Sequence, residues 1–143
     1  MHTLPHKSSS GFTLVEIMIV VAIIALLAAI AVPNFLRARK RSQATMLLNN
    51  LRLIDGAKDQ YAIETNKTSA TPVAWDLAQY FKDNSLLNAA FWAAQPGDTT
   101  VADPKIQHVT YYINTGDVMP SIDTASAYSD VVDSSFWSPY VAN

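Results

Sequence analysis

The sequence predicts an α+β fold: a long N-terminal α-helix, one half membrane-spanning and the other amphipathic, packed on a small antiparallel β-sheet. Three observations carry this. Residues Ile17 to Val32 are sixteen consecutive apolar residues. Beyond them, Leu47, Leu51, Ile54, Lys58 and Tyr61 recur at steps of four, three, four and three, which apart from Lys58 is an apolar stripe of helical period. The C-terminal half then breaks into short segments rich in Val, Ile and Tyr, separated by Gly, Pro, Asn and Asp.

The chain of 143 residues has room for one modest domain plus an anchor. Residues 17–36 carry no charge, and about 20 helical residues span roughly 30 Å, the thickness of a bilayer core. A membrane-spanning helix is the first reading. A buried helix of a soluble core is the second, but the remaining chain is too small to surround so long an apolar rod. A cleaved secretory signal is the third: Ala29-Ile30-Ala31 fits a small-x-small cleavage site, although the apolar run is long and Glu16 stands at its edge.

The net charge of −2 conceals a division. Arg37, Arg39, Lys40, Arg41 and Arg52 make 37–52 a basic block without an acid, while beyond Leu53 acids outnumber the four lysines. The acidic overall balance argues against general nucleic-acid binding. With no cysteine, disulfides and thiolate metal sites are excluded.

The elements follow in order. The helical stripe predicts that the first helix continues to about Thr65, broken in register only at Pro33, which removes a backbone donor and crowds the preceding turn. A polar stretch, 65–71, precedes Pro72. Residues Trp75 to Lys82, with Trp75, Leu77, Ala78 and Phe81, suit a short amphipathic helix capping the domain, and 87–94 a second short helix or a buried loop. Pro96-Gly97-Asp98 signals a turn, Ile106 to Ile113 a strand, and Val118 to Ile122 its return partner, with Pro120 restricting that partner to an edge or bulge. Val131 and Val132 extend the strand content, and the tail from Phe136 to Tyr140 is aromatic enough to dock back on the domain. The shape so predicted is a ladle with a helical handle.

No constellation for catalysis is visible. His2 and His6 lie near the N-terminus, and His108, placed on a strand face, cannot build a zinc site alone. The four glycines form no phosphate-cradling loop, and no serine has a matching base. Asp117, Asp123, Asp130 and Asp133 crowd the C-terminal third, and oxygen-rich loops of this kind can bind calcium, but their spacing fits no EF-hand, so solvated loop acids are the simpler reading. Asn66-Lys67-Thr68 fits a glycosylation sequon, read as an unmodified loop.

The stretch GFTLVEIMIVVAIIALLAAIAVPNF, from Gly11 to Phe35, resembles the N-terminal segment of type IV pilins and type II secretion pseudopilins. A glycine, a phenylalanine, a glutamate four residues on and a distal proline fall in that family's order. The resemblance implies a leader, 1–11, that stays cytoplasmic and is removed by a prepilin peptidase between Gly11 and Phe12, with methylation of the new Phe12 amine. It further implies a membrane and filament-core helix over 12–36, its amphipathic continuation over 37–65 and a small globular domain over 66–143. Glu16 then lies about one turn from the Phe12 amine and pairs with the amine of an adjacent subunit, setting register, while Pro33 loosens the helix. Implied partners are copies of this chain and related pilins, the peptidase, the inner-membrane assembly machinery and the membrane itself. Implied location is the bacterial inner membrane, single-pass with the domain exported, and then a periplasmic or extracellular filament.

The basic flank at 37–41 opposes that orientation by the positive-inside tendency, which alone places the domain in the cytoplasm. The specific motif outweighs the statistical rule. The absence of cysteine departs from the disulfide-looped pilins and suits pseudopilins or cysteine-free pilins. The function implied is a structural filament subunit, not an enzyme. The alternatives are a pseudopilin of a secretion system and a membrane-anchored binding module that never polymerises.

Overall fold

A computed structural model describes residues 11–67, 72–82, 85–123 and 125–140. The first ten residues of the expected leader, with His2 and His6, and most of the polar stretch, including Thr68 of the sequon, lie outside them. The chain divides between Arg37 and Ala38 into two compact units. One helix, α1, runs Leu14–Thr65, 52 residues, and continues through Pro33. Its end at Thr65 is where the helical period stops in the sequence. There the Thr65 hydroxyl donates back to the Tyr61 carbonyl at 2.7 Å, and Asn66 takes a left-handed backbone with φ 54°.

In the first unit, every described residue from Gly11 to Arg37 is exposed. This part of α1 is long and apolar enough to cross a membrane.

The second unit holds the core. Ala44, Leu47, Leu48, Leu51, Ile54 and Ala57 of α1 are buried, at the three- and four-residue spacing that puts them on one face. Two short helices follow, α2 (Ala74–Ala78) and α3 (Leu86–Ala93). The Ser85 hydroxyl caps α3 by accepting the Asn88 N–H at 3.0 Å. Phe81 and Phe91 meet edge to face at 4.6 Å between ring centres.

The expected helix at 75–82 is shorter than its apolar pattern, and Trp75 is not a core residue. It is 45 % exposed, and its indole N–H donates to the carbonyls of Trp92 (3.2 Å) and Ala94 (3.0 Å). The buried positions are Ala74, Leu77, Ala78 and Phe81.

The sheet has three antiparallel strands in the order β1 (Thr100–Ala102), β2 (Thr110–Tyr112), β3 (Ser121–Ile122). Val101 pairs with Tyr111, and Tyr111 with Ile122, so one buried row crosses all three. The turn at Pro96-Gly97-Asp98 forms as expected: Gly97 has φ 96°, and the Asp98 carboxylate accepts the Gln95 N–H at 2.8 Å.

Three expectations need correction. The strand expected over 106–113 begins only at Thr110, because the Asp103 carboxylate accepts the N–H groups of Lys105 (2.8 Å) and Ile106 (2.6 Å) and turns the chain there. His108 is not on a strand face; its φ of 66° places it in a left-handed turn. Val131 and Val132 are not strand either, since both N–H groups donate to the Tyr128 carbonyl at 3.0 Å and close a helical turn. The aromatic tail does dock: Trp137 and Tyr140 are buried, and the Tyr140 hydroxyl reaches Asp55 of α1 at 3.1 Å.

Candidate functional site

The residues singled out in the sequence around the expected processing point open α1. Gly11 and Phe12 are exposed and precede the helix, and among the described residues, chain neighbours aside, no atom stands within 4 Å of a side chain built at Gly11. Thr13 is the N-cap. Its hydroxyl accepts the Glu16 N–H at 3.2 Å, while the Glu16 carboxylate accepts the Thr13 N–H and hydroxyl, each at 3.3 Å. This is a reciprocal capping box, with a carboxylate at the positive end of the helix dipole. Glu16 therefore satisfies two donors of its own helix start, a role separate from any contact with an amine. The Thr13-x-x-Glu16 spacing is the sequence signal that finds it.

After Glu16 the exposed side chains are apolar as far as Leu36, Pro33 among them, with Asn34 the single polar exception. Phe12 itself is 82 % exposed. Leaving such a surface in water is unfavourable by roughly 25 cal/mol per Å².

Two polar networks tie the second half of α1 to the sheet end of the domain. Asn50 donates its amide to the Tyr111 hydroxyl at 2.8 Å and to Asp103 at 3.3 Å, and Tyr111 donates a short hydrogen bond to the same carboxylate. Burial, and then the Asp103 carboxylate, hold the Tyr111 phenol well above its ordinary range, with Asn50 opposing. Two turns along α1 from Asn50, Lys58 is only 2 % exposed. Its ammonium donates to the carbonyls of Thr115 (2.9 Å) and Val118 at the β2–β3 connection. Burial pulls its pKa down, and the carboxylates of Asp55, Asp59 and Asp117 push the other way. Lys58, the exception in the apolar stripe, is thus a cation held inside the domain.

The four aspartates raised as calcium candidates have separate partners. Asp123 accepts the Thr110 N–H at 3.1 Å, and Asp130 pairs with Lys40 at 2.9 Å. Asp133 caps a 3-10 helix by accepting the Phe136 N–H at 3.0 Å. A bond from the Thr115 side chain lowers the pKa of Asp117. Among the described residues no group of three or more His, Cys, Asp or Glu side chains gathers to hold a metal.

One comparison with known proteins falls on the start of α1. The prokaryotic N-terminal methylation motif matches residues 6–32. The chain is 40 % identical over 68 residues to the type IV wide pilus major component PilA4 of Thermus thermophilus, covering 48 % of this chain and 52 % of that one. It is 46 % identical over 59 residues to the type IV major pilin protein PilA of Myxococcus xanthus, covering 41 % and 27 %. It is 29 % identical over 70 residues to the type II secretion system core protein G of Aeromonas hydrophila, covering 49 % of each chain. The chain thus spans about half, or less, of the length of these relatives. No solved structure matches it. The methylation motif, the capped apolar helix and the relatives agree in one respect: the chain is similar to type IV pilins and type II secretion core proteins over part of its length.

Proposed function

We propose that this chain is a structural subunit of a type IV pilus or pilus-like filament, built by bundling of the N-terminal helices. The observation that supports it most directly is the first unit of α1: an apolar rod with no exposed face suited to water. Such a rod is stable in lipid, and it leaves lipid only for an equally apolar destination. Side-by-side packing of the same helix from other copies supplies one.

In this reading a prepilin peptidase removes residues 1–11 by cutting between Gly11 and Phe12, and the new Phe12 amine is methylated. Residues 12–36 become the filament core, 37–65 carry the amphipathic continuation, and 66–143 complete the outer domain. Glu16 pairs with the Phe12 amine of a neighbouring subunit and fixes the register, and Pro33 marks where the helix can loosen. The subunit starts in the bacterial inner membrane with its leader cytoplasmic and its domain exported. Its partners are copies of itself, related pilins, the peptidase and the inner-membrane assembly machinery.

The similarity to core protein G and the lack of cysteine favour a second reading, a pseudopilin of a type II secretion system. Shearing cells and probing the released fibres for this chain tests the first reading. Abundant surface fibres built of it support a pilus. Short periplasmic assemblies support the pseudopilin, and a membrane-bound monomer under all conditions contradicts both.

A further inference from the structure

We propose that the cations following the apolar run form a collar around α1 that binds anionic phospholipid headgroups, which holds the subunit at a set depth before assembly. The proposal rests on reading residues 17–36 as a membrane span.

Arg37, Arg39, Lys40 and Arg41 are all exposed. Each helical residue advances about 100° around the axis. Lys40 stands four residues before Ala44, on the side of α1 that carries the core residues Ala44, Leu47 and Leu51. Its ammonium accordingly meets Asp130, at 2.9 Å, the only ion pair among the described residues. Arg39 and Arg41 flank Lys40 on either side and stand roughly 160° apart around the rest of the helix. Arg37 is one turn before Arg41. None of the three guanidinium groups has a carboxylate partner among the described residues.

This arrangement discriminates between partners. A nucleic-acid duplex or an acidic protein surface approaches a helix from one side and is best met by cations on one face. Headgroups surround a helix that leaves a bilayer, and cations on opposite flanks both find phosphate. The height agrees as well. Arg37 to Arg41 climbs about 6 Å of helix axis, and a headgroup layer is about 5–8 Å thick on each side of the hydrocarbon. The cations begin directly after a charge-free stretch of roughly hydrocarbon-core length. The one lysine of the cluster is taken internally, and the three free cations are arginines, whose planar fork matches phosphate oxygens bidentately.

The test uses the full chain. Flotation with phosphatidylcholine vesicles first checks insertion; failure to float overturns the span and the proposal with it. Native mass spectrometry from detergent then compares retained phosphatidylglycerol with retained phosphatidylcholine. Expected is a preference of about an order of magnitude for phosphatidylglycerol at low salt, falling about fivefold for each of Arg39→Gln and Arg41→Gln. Lys40→Gln keeps most of the preference, because that ammonium already serves Asp130. Equal retention of both lipids overturns the proposal. So does arginine-dependent binding of a short DNA duplex without any lipid preference.

Discussion

Thr13 and Glu16 hold each other across the first turn of α1, hydroxyl to backbone N–H at 3.2 Å and carboxylate to backbone N–H at 3.3 Å. A capping box works with Glu or Gln at its last position, whereas a counter-charge for an amine needs the carboxylate. The observed cap and the proposed counter-charge role of Glu16 are therefore separable by substitution. Glu16→Gln keeps the cap and removes the charge; Glu16→Ala removes both. Filament yield, measured by shearing, is expected to fall steeply in both variants, since a stranded partner of a buried pair costs about 3–5 kcal/mol. Normal yield with Gln and loss with Ala would assign Glu16 to the helix cap alone.

Tyr111→Phe removes the hydroxyl that Asn50 and Asp103 share. Each is left one partner short in a partly buried network, so thermal unfolding of the full chain in detergent is expected to show a loss of about 1–3 kcal/mol. An unchanged melting temperature would show that the network closes without the phenol.

Lys58→Met vacates the carbonyls of Thr115 and Val118. The variant is expected to lose about 1–3 kcal/mol and to exchange the amide hydrogens of the 114–118 loop faster. The pH dependence has a definite sign. Burial holds the folded pKa of Lys58 below its ordinary 10.5, so between the two values the unfolded chain binds the additional proton. Stability from this group rises with pH across that window. The margin of the wild type over Lys58→Met should widen as pH climbs from neutral toward about 10.5, and a margin that narrows would contradict a buried ammonium.

Calcium is expected to leave the melting curve where a chelator leaves it. Asp123, Asp130 and Asp133 each serve a different protein partner rather than a common centre. An upward shift with calcium alone would show that these carboxylates converge on an ion.

How far the sequence discloses the fold depends on the length of the signal. α1 was legible because sixteen apolar residues and then a helical stripe repeat one message over 52 residues. β1 was not, since three residues with a single buried Val101 have no period to read. The late start of β2 depends on one carboxylate, Asp103, bonding to N–H groups two and three residues on, and a run rich in Val and Tyr conceals that. Lys58 stood out as an intruder in the stripe, but its partners lie 57 and 60 residues away, beyond any local pattern. The capping box at Thr13 was present in the letters. A charge at the edge of an apolar run suggests a distant counter-charge, whereas the observed partner, Thr13, is three residues away.

The central claim is that this apolar helix is freed at Phe12 and then packs against its own kind, and mass spectrometry of the chain purified from the membrane and from fibres tests it most directly. The mature protein is expected to begin at Phe12 and to carry one methyl group on its amine. A chain still starting at Met1, or one starting at Val32, would contradict the account.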